Sequence, residues 1–258
     1  MSTAISRPVN SRQTRPHPLL RRLLERRGQQ PFRRPIQPRS KETFELLEHW
    51  LGQRQQPLIL DAGCGTGSSS IALARQHPDH SVIGIDKSAH RLDRHQPDTP
   101  VPGNCYLARA DLADIWRLAV MADWRPVRHY LLYPNPWPKP KHLARRWHAH
   151  PVLPWILALG GTLELRTNWR LYAEEFAYAL SLLLERPVPH QPLTTGSPLT
   201  PFERKYAASR HSLWLCRLTL TTAERNQWLL ATSQPAIHNQ LVAIKLAANS
   251  NAGRIVAL

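Results

Sequence analysis

Short unbroken apolar runs alternate with longer stretches of helical spacing along most of the chain. Residues 57–61 hold Leu58, Ile59 and Leu60 in a run too short for a helix and without a polar face, which predicts a strand buried on both sides. Residues 81–86 have the same character, and 105–110, 127–133 and 162–166 predict a third, fourth and fifth strand. Between the first two, residues 68–77 carry Ile71, Leu73 and Ala74 at helical spacing and stop before Pro78. The clearest amphipathic helix covers 171–184, with Tyr172, Phe176 and Leu180 on one face. Strands alternating with helices are the repeat of an open parallel sheet, so the fold class is α/β, doubly wound and mostly parallel. Residues 187–201 are proline-rich and read as loop, and 211–220, alternating around Trp214, read as a late strand. From Thr221 the pattern is helical at first and then weakly patterned and polar.

The periodic pattern starts near Glu42. Before it, residues 1–41 hold eleven Arg and Lys against Glu25 as the one acidic residue, with prolines at 8, 16, 18, 31, 35 and 38. Only 19–27 has room for two helical turns. This predicts a basic arm over 1–41, mobile when free, then a domain over 42–220 and a C-terminal extension over 221–258. The whole chain of 258 residues has 34 Lys and Arg against 18 Asp and Glu, a net charge of +16, which favours a polyanionic partner, nucleic acid before an anionic membrane. No run approaches the ~18 apolar residues that span a bilayer, and charge without an apolar stretch at the start predicts no secretory signal. Cys64, Cys105 and Cys216 are far apart, so neither a disulfide framework nor a cysteine metal site is expected. His148 and His150 have no third ligand in view and are read as a polar helix face. The expectation is a cytoplasmic protein without metal, a monomer or weak dimer.

Chemistry concentrates at the predicted strand ends. After the first strand, Asp61, Gly63, Gly65 and Gly67 form a glycine-alternating loop that turns tightly and lets a ligand approach the main chain. The spacing is one residue short of the dinucleotide fingerprint, and no Lys follows, which excludes a phosphate-cradling P-loop. Asp86 closes the second strand, where a carboxylate can accept from both ribose hydroxyls of an adenosine. Asp111, just past the third, is placed to accept from an adenine amino group. Carboxylates also suit a cofactor carrying a sulfonium cation. Together these residues resemble the class I S-adenosylmethionine-dependent methyltransferases, which implies a Rossmann-like sheet of seven strands. The resemblance further implies Gly63 and its neighbours on the methionine part, Asp86 on the ribose and Asp111 near the adenine.

The fourth strand runs into Tyr133, Pro134, Asn135, Pro136, Trp137 and Pro138, followed by Lys139, Lys141, His142, Arg145 and Arg146. Prolines on both sides of Asn135 stiffen the loop and keep that residue out of the helical region. It would present one amide and one carbonyl beside cations able to neutralise phosphates. Asn168 and Trp169 follow the fifth strand, and Thr200, Glu203, Arg204 and Tyr206 come later. Over residues 42–220 this order is similar to the bacterial tRNA (guanine-N7)-methyltransferases, with Asn135 and Asn168 where that family has aspartates. The resemblance implies tRNA as partner, Trp137, Lys139, Lys141, Arg145, Arg146, Asn168 and Thr200 on the substrate, and Asn135 at both donor and reacting base. Guanine N7 already has a free lone pair, so no general base is needed. Glu203 can accept from N1–H and the amine of guanine together and is the choice for base recognition, and Trp137 and Trp169 are candidates to stack on a base. Two alternatives stay open: methylation of an amino group, suggested by the Asn-Pro pair, and an RNA-binding protein that no longer catalyses.

Overall fold

Alternate residues of the central strands sort into two separate apolar clusters, which is what a sheet covered on both faces requires. Leu58, Leu60, Ile83, Ile85 and Leu131 join the larger cluster, and Ile59, Val82, Tyr130 and Leu132 join the smaller. The computed structural model describes residues 6–28, 32–94, 100–194 and 196–233. The strands are β1 (Leu58–Ala62), β2 (Ser81–Asp86), β3 (Cys105–Arg109), β4 (Arg128–Leu132), β5 (Thr162–Thr167), β6 (His190–Pro192) and β7 (Trp214–Thr219). They form one sheet in the order β3-β2-β1-β4-β5-β7-β6, as the α/β reading with seven strands requires. The first five are parallel, and β7 runs antiparallel to both β5 and β6.

The larger cluster lies under α1 (Leu20–Gly28), α2 (Pro38–Gly52), α5 (Leu112–Met121), α6 (Leu153–Leu159), α7 (Arg170–Leu184) and α9 (Thr222–Ser233). The smaller lies under α3 (Ser68–Gln76). A short α4 (Ala89–Leu92) follows β2, and α8 (Pro201–Ala208) precedes β7. Gly84 sets the close approach of α3 to the sheet, since a Cβ there would lie 2.1 Å from Ser70 Oγ. No helix among the described residues is long and apolar enough to cross a membrane.

Three boundaries differ from the sequence reading. Pro38 begins α2 instead of breaking it, because the first turn of a helix has no use for an N–H. The border at 41/42 therefore cuts a helix. Leu20, Leu23 and Leu24 of α1 are buried in the main core, and this i, i+3, i+4 stripe was hidden among arginines. Likewise α9 buries Trp228 and Ala231 and so belongs to the domain, while the rest of the extension, from 234 on, lies outside the described residues. Within the proline-rich loop, β6 is a three-residue edge strand, where proline is tolerated because one side of the ladder is free.

Candidate active site

At the end of β1 the chain turns through Gly63, Gly65 and Gly67, whose φ angles are 89°, 63° and 81°, a region that side-chain-bearing residues rarely enter. The amides of Gly63 and Cys64 donate to Ile85 O at 2.8 and 3.0 Å, which ties the turn to β2. A Cβ on Gly67 would collide with Leu107 at 2.4 Å, whereas one on Gly65 would meet nothing within 4 Å. Gly65 thus bounds an open cradle. Asp86 accepts from Gly65 N at 3.1 Å and Ser88 N at 2.8 Å, with Arg91 at 3.3 Å. Asp61 is fully buried; its Oδ2 takes the hydroxyls of Ser69 and Ser70 at 2.6 and 2.7 Å, and its Oδ1 has no partner among the described residues. Burial pushes the Asp61 carboxyl upward against those two hydroxyls.

Asp111 stands differently from the sequence expectation. It caps α5, accepting from Ala113 N at 2.9 Å, and Arg34 lies on it at 2.8 Å while also reaching Asp114 at 2.7 Å. Partial burial pushes its carboxyl up, but Arg34 overrides that and holds it low. An acceptor already paired with a guanidinium is not an open seat for an adenine amine.

The substrate side begins one strand over. β4 pairs with β1 in parallel, and the sheet order reverses between them, so the glycine turn and the loop after Leu132 leave the same edge side by side. Tyr133 and Trp137 in that loop have φ of 51° and 46°. Asn135 is exposed, and its Oδ1 accepts from Trp137 N at 3.2 Å, so the side chain also braces the turn. Trp137 is half-buried, with His142 edge-on at 5.5 Å and the Arg145 guanidinium 4.7 Å from its ring centre. Lys139, Lys141 and Arg145 are exposed on this edge.

Other expected contacts are spent internally. Arg146 is fully buried: it pairs with Glu175 and donates to Trp137 O at 3.1 and 3.3 Å, so it holds the loop from beneath and is closed off from solvent. Trp169 is covered on one face by the same guanidinium at 4.9 Å and is buried, which removes it as a stacking platform. Asn168 is half-buried against His211 at 3.3 Å. Thr200 caps α8, accepting from Glu203 N at 2.9 Å. Glu203 is fully buried, and both its oxygens bind Arg166 at 3.0 and 3.2 Å, so the carboxylate assigned to guanine is neutralised by a neighbour.

His148, read as surface, is buried and bonds Glu175 Oε2 at 3.0 Å. Burial pushes its imidazole pKa down. Burial pushes Glu175 up, yet His148 and Arg146 outweigh it and bring the carboxyl down to about 2. No group of three metal-ligating side chains comes together among the described residues. Arg166, Glu175, Ser69 and Ser70 escaped the sequence reading. Glu175 had left a signal, a charge in the apolar stripe between Tyr172 and Phe176. Nothing in the spacing marked Arg166 as the partner of Glu203, 37 positions away.

A sheet of this order, with a glycine turn after β1 and a carboxylate closing β2, defines the class I S-adenosylmethionine-dependent methyltransferases. The residues fit that donor: Gly65 leaves room for it, Asp86 stands at the edge of that room, and Asp61 keeps an unsatisfied acceptor beneath. Residues 55–216 match the family described as "Putative methyltransferase". A solved structure titled "Structure of an Antibiotic Related Methyltransferase" superposes with a TM-score of 0.50 at 17% identity, over 75% of this chain and 98% of that one, a likeness of fold. A tRNA (guanine-N(7)-)-methyltransferase of Mycobacterium avium (strain 104) is 31% identical over 182 residues, covering 65% of this chain and 69% of that protein. Another, of Acinetobacter baylyi, is 29% identical over 184 residues, 67% and 71% of the two chains. The chain belongs to the tRNA (guanine-N7)-methyltransferase family.

Proposed function

We propose that the protein transfers a methyl group from S-adenosylmethionine to N7 of a guanine in tRNA, in the cytoplasm. The observation that carries this reading is the placement of the proline-bracketed loop, with Asn135 exposed, beside the open glycine cradle where the sheet order reverses. The donor, when bound, supplies a methyl group on a positively charged sulfur. With the donor bound, guanine N7 would take the methyl through its own lone pair, so no side chain would have to take or give a proton. The protein's task is therefore alignment of N7 with the methyl carbon at ~3 Å. Asn135, held by the Trp137 amide, presents its remaining lone pair and NH2 to the base. Lys139, Lys141 and Arg145 hold phosphates nearby. Glu203, buried and paired with Arg166, is left to structure on this side.

Incubation of the protein with bulk tRNA and labelled donor, followed by mapping of the modified base, is expected to return 7-methylguanosine. A methylated amine would move the reading to amino groups. One observation favours a second reading, RNA binding without methyl transfer: with Asn135, Asn168 and a paired Glu203, none of these three positions offers a free carboxylate to the base. Calorimetric titration of S-adenosylmethionine decides between them, since absence of donor binding supports the second.

A further inference from the structure

The segment before α1 is extended, and its side chains alternate. Val9, Ser11 and Gln13 are half-buried against the domain, while Asn10, Arg12 and Thr14 face solvent. Val9 packs on the main core. Ser11 Oγ donates to Pro138 O at 2.6 Å, which ties the residue before Arg12 to the residue before Lys139 of the substrate loop. Gln13 Nε2 donates to Glu175 Oε1 at 2.6 Å, and its Oε1 accepts from Arg146 Nη2 at 3.0 Å. The backbone of His17 also donates to Glu175, at 2.8 Å. At the other end, Ser6 N donates to Ser209 Oγ at 3.0 Å, and Ser6 O meets His211 Nε2 at 3.0 Å. Pro8, Pro16 and Pro18 hold the segment extended and lower the entropy lost on docking.

We propose that residues 6–17 are a docked strap that fixes Arg7, Arg12 and Arg15 in a row continuous with Lys139, Lys141 and Arg145, a preformed track for RNA phosphates. All six of these cations are exposed. The inward side chains determine where the outward ones stand, because the strap is tied to Glu175 and to the same Arg146 that donates to Trp137 O. This rests on the reading of tRNA as substrate, and it differs from a mobile basic tail in one respect. A tail works through its charge wherever it moves, whereas a strap works only while docked.

The decisive variant carries Ser11→Ala and Gln13→Ala together, which keeps every positive charge. Glu175 retains His17 N, Arg146 and His148 as partners, so the buried carboxylate stays satisfied. The strap predicts roughly tenfold weaker tRNA binding for this variant, from the ordering lost at three long side chains, with unchanged donor affinity by calorimetry. Trypsin is expected to cut after Arg12 slowly in the intact protein and quickly in the variant. A companion variant with Arg7, Arg12 and Arg15 all changed to Ser should flatten the salt dependence of binding by about 2 to 3 in log–log slope. Wild-type affinity in the double variant overturns the strap, as does rapid cleavage at Arg12 in the intact protein or weakened binding without faster cleavage. If the intact protein binds no tRNA at all, the functional reading falls first, and this one with it.

Discussion

The two halves of the site are built on different principles. On the donor side, backbone does the shaping: three glycines at positive φ leave a cradle with room in it, Asp86 ties its edge, and one oxygen of Asp61 stays without a partner among the described residues. Across β4 the charged side chains are already committed to one another, Glu175 with Arg146 and His148, and Arg166 with Glu164 and Glu203. A cradle can be shaped by main-chain geometry alone, whereas a loop that displays exposed side chains needs rigid support from beneath. Buried ion pairs give that support, since breaking one leaves a charge without solvent or partner. The comparison also separates the cations committed to buried pairs from Lys139, Lys141 and Arg145, which stay exposed.

The largest effect should come from removing the support. Glu175→Ala leaves Arg146 buried without its counter-charge and is expected to destabilise the fold by ~3–5 kcal/mol in urea denaturation. A loss under 1 kcal/mol would mean the substrate half does not rest on this cluster. Next in size, Asp86→Ala removes a charged acceptor from the cradle, and the donor Kd should rise roughly 100-fold, about 3 kcal/mol, by calorimetry. An unchanged Kd would undo the assignment of the donor half.

His129 lies between the halves, buried on β4, with Trp116 Nε1 donating to its Nε2 at 3.0 Å. Burial pushes its pKa down to about 3. The unfolded imidazole, with a pKa of ~6.5, takes up a proton that the folded one refuses. The stability from this residue is therefore full above ~6.5 and declines as pH falls toward about 3, by up to about 1.4 kcal/mol per pH unit. His129→Gln should show a shallower decline, near 2 kcal/mol less between pH 6.5 and 5, and parallel curves would place the proton elsewhere. The smallest effect concerns charge at the reacting base. Asn135→Asp restores a carboxylate beside the N7 that becomes cationic and should raise kcat a few-fold, about 1 kcal/mol. A fall in kcat would show that the amide itself is required.

What could be read without coordinates were the features carried by neighbouring residues. The five parallel strands, α3 and α7 follow from local runs and periodicity, and the glycine turn with Asp86 follows from spacing that a strand-turn-helix unit imposes. The same is true of the proline-bracketed loop, whose stiffness is a property of its own residues. Where a side chain's role depends on what faces it, the sequence was silent. Arg145 and Arg146 are adjacent and chemically identical, yet one is exposed on Trp137 and the other is buried under its carbonyl. Glu203 and Asp111 keep their residue types but lose their openness to Arg166 and Arg34, each from a distant segment. Local chemistry dictates backbone path; only the packing of remote segments decides which charges remain free, because pairing energy depends on distance in space and on exclusion of water.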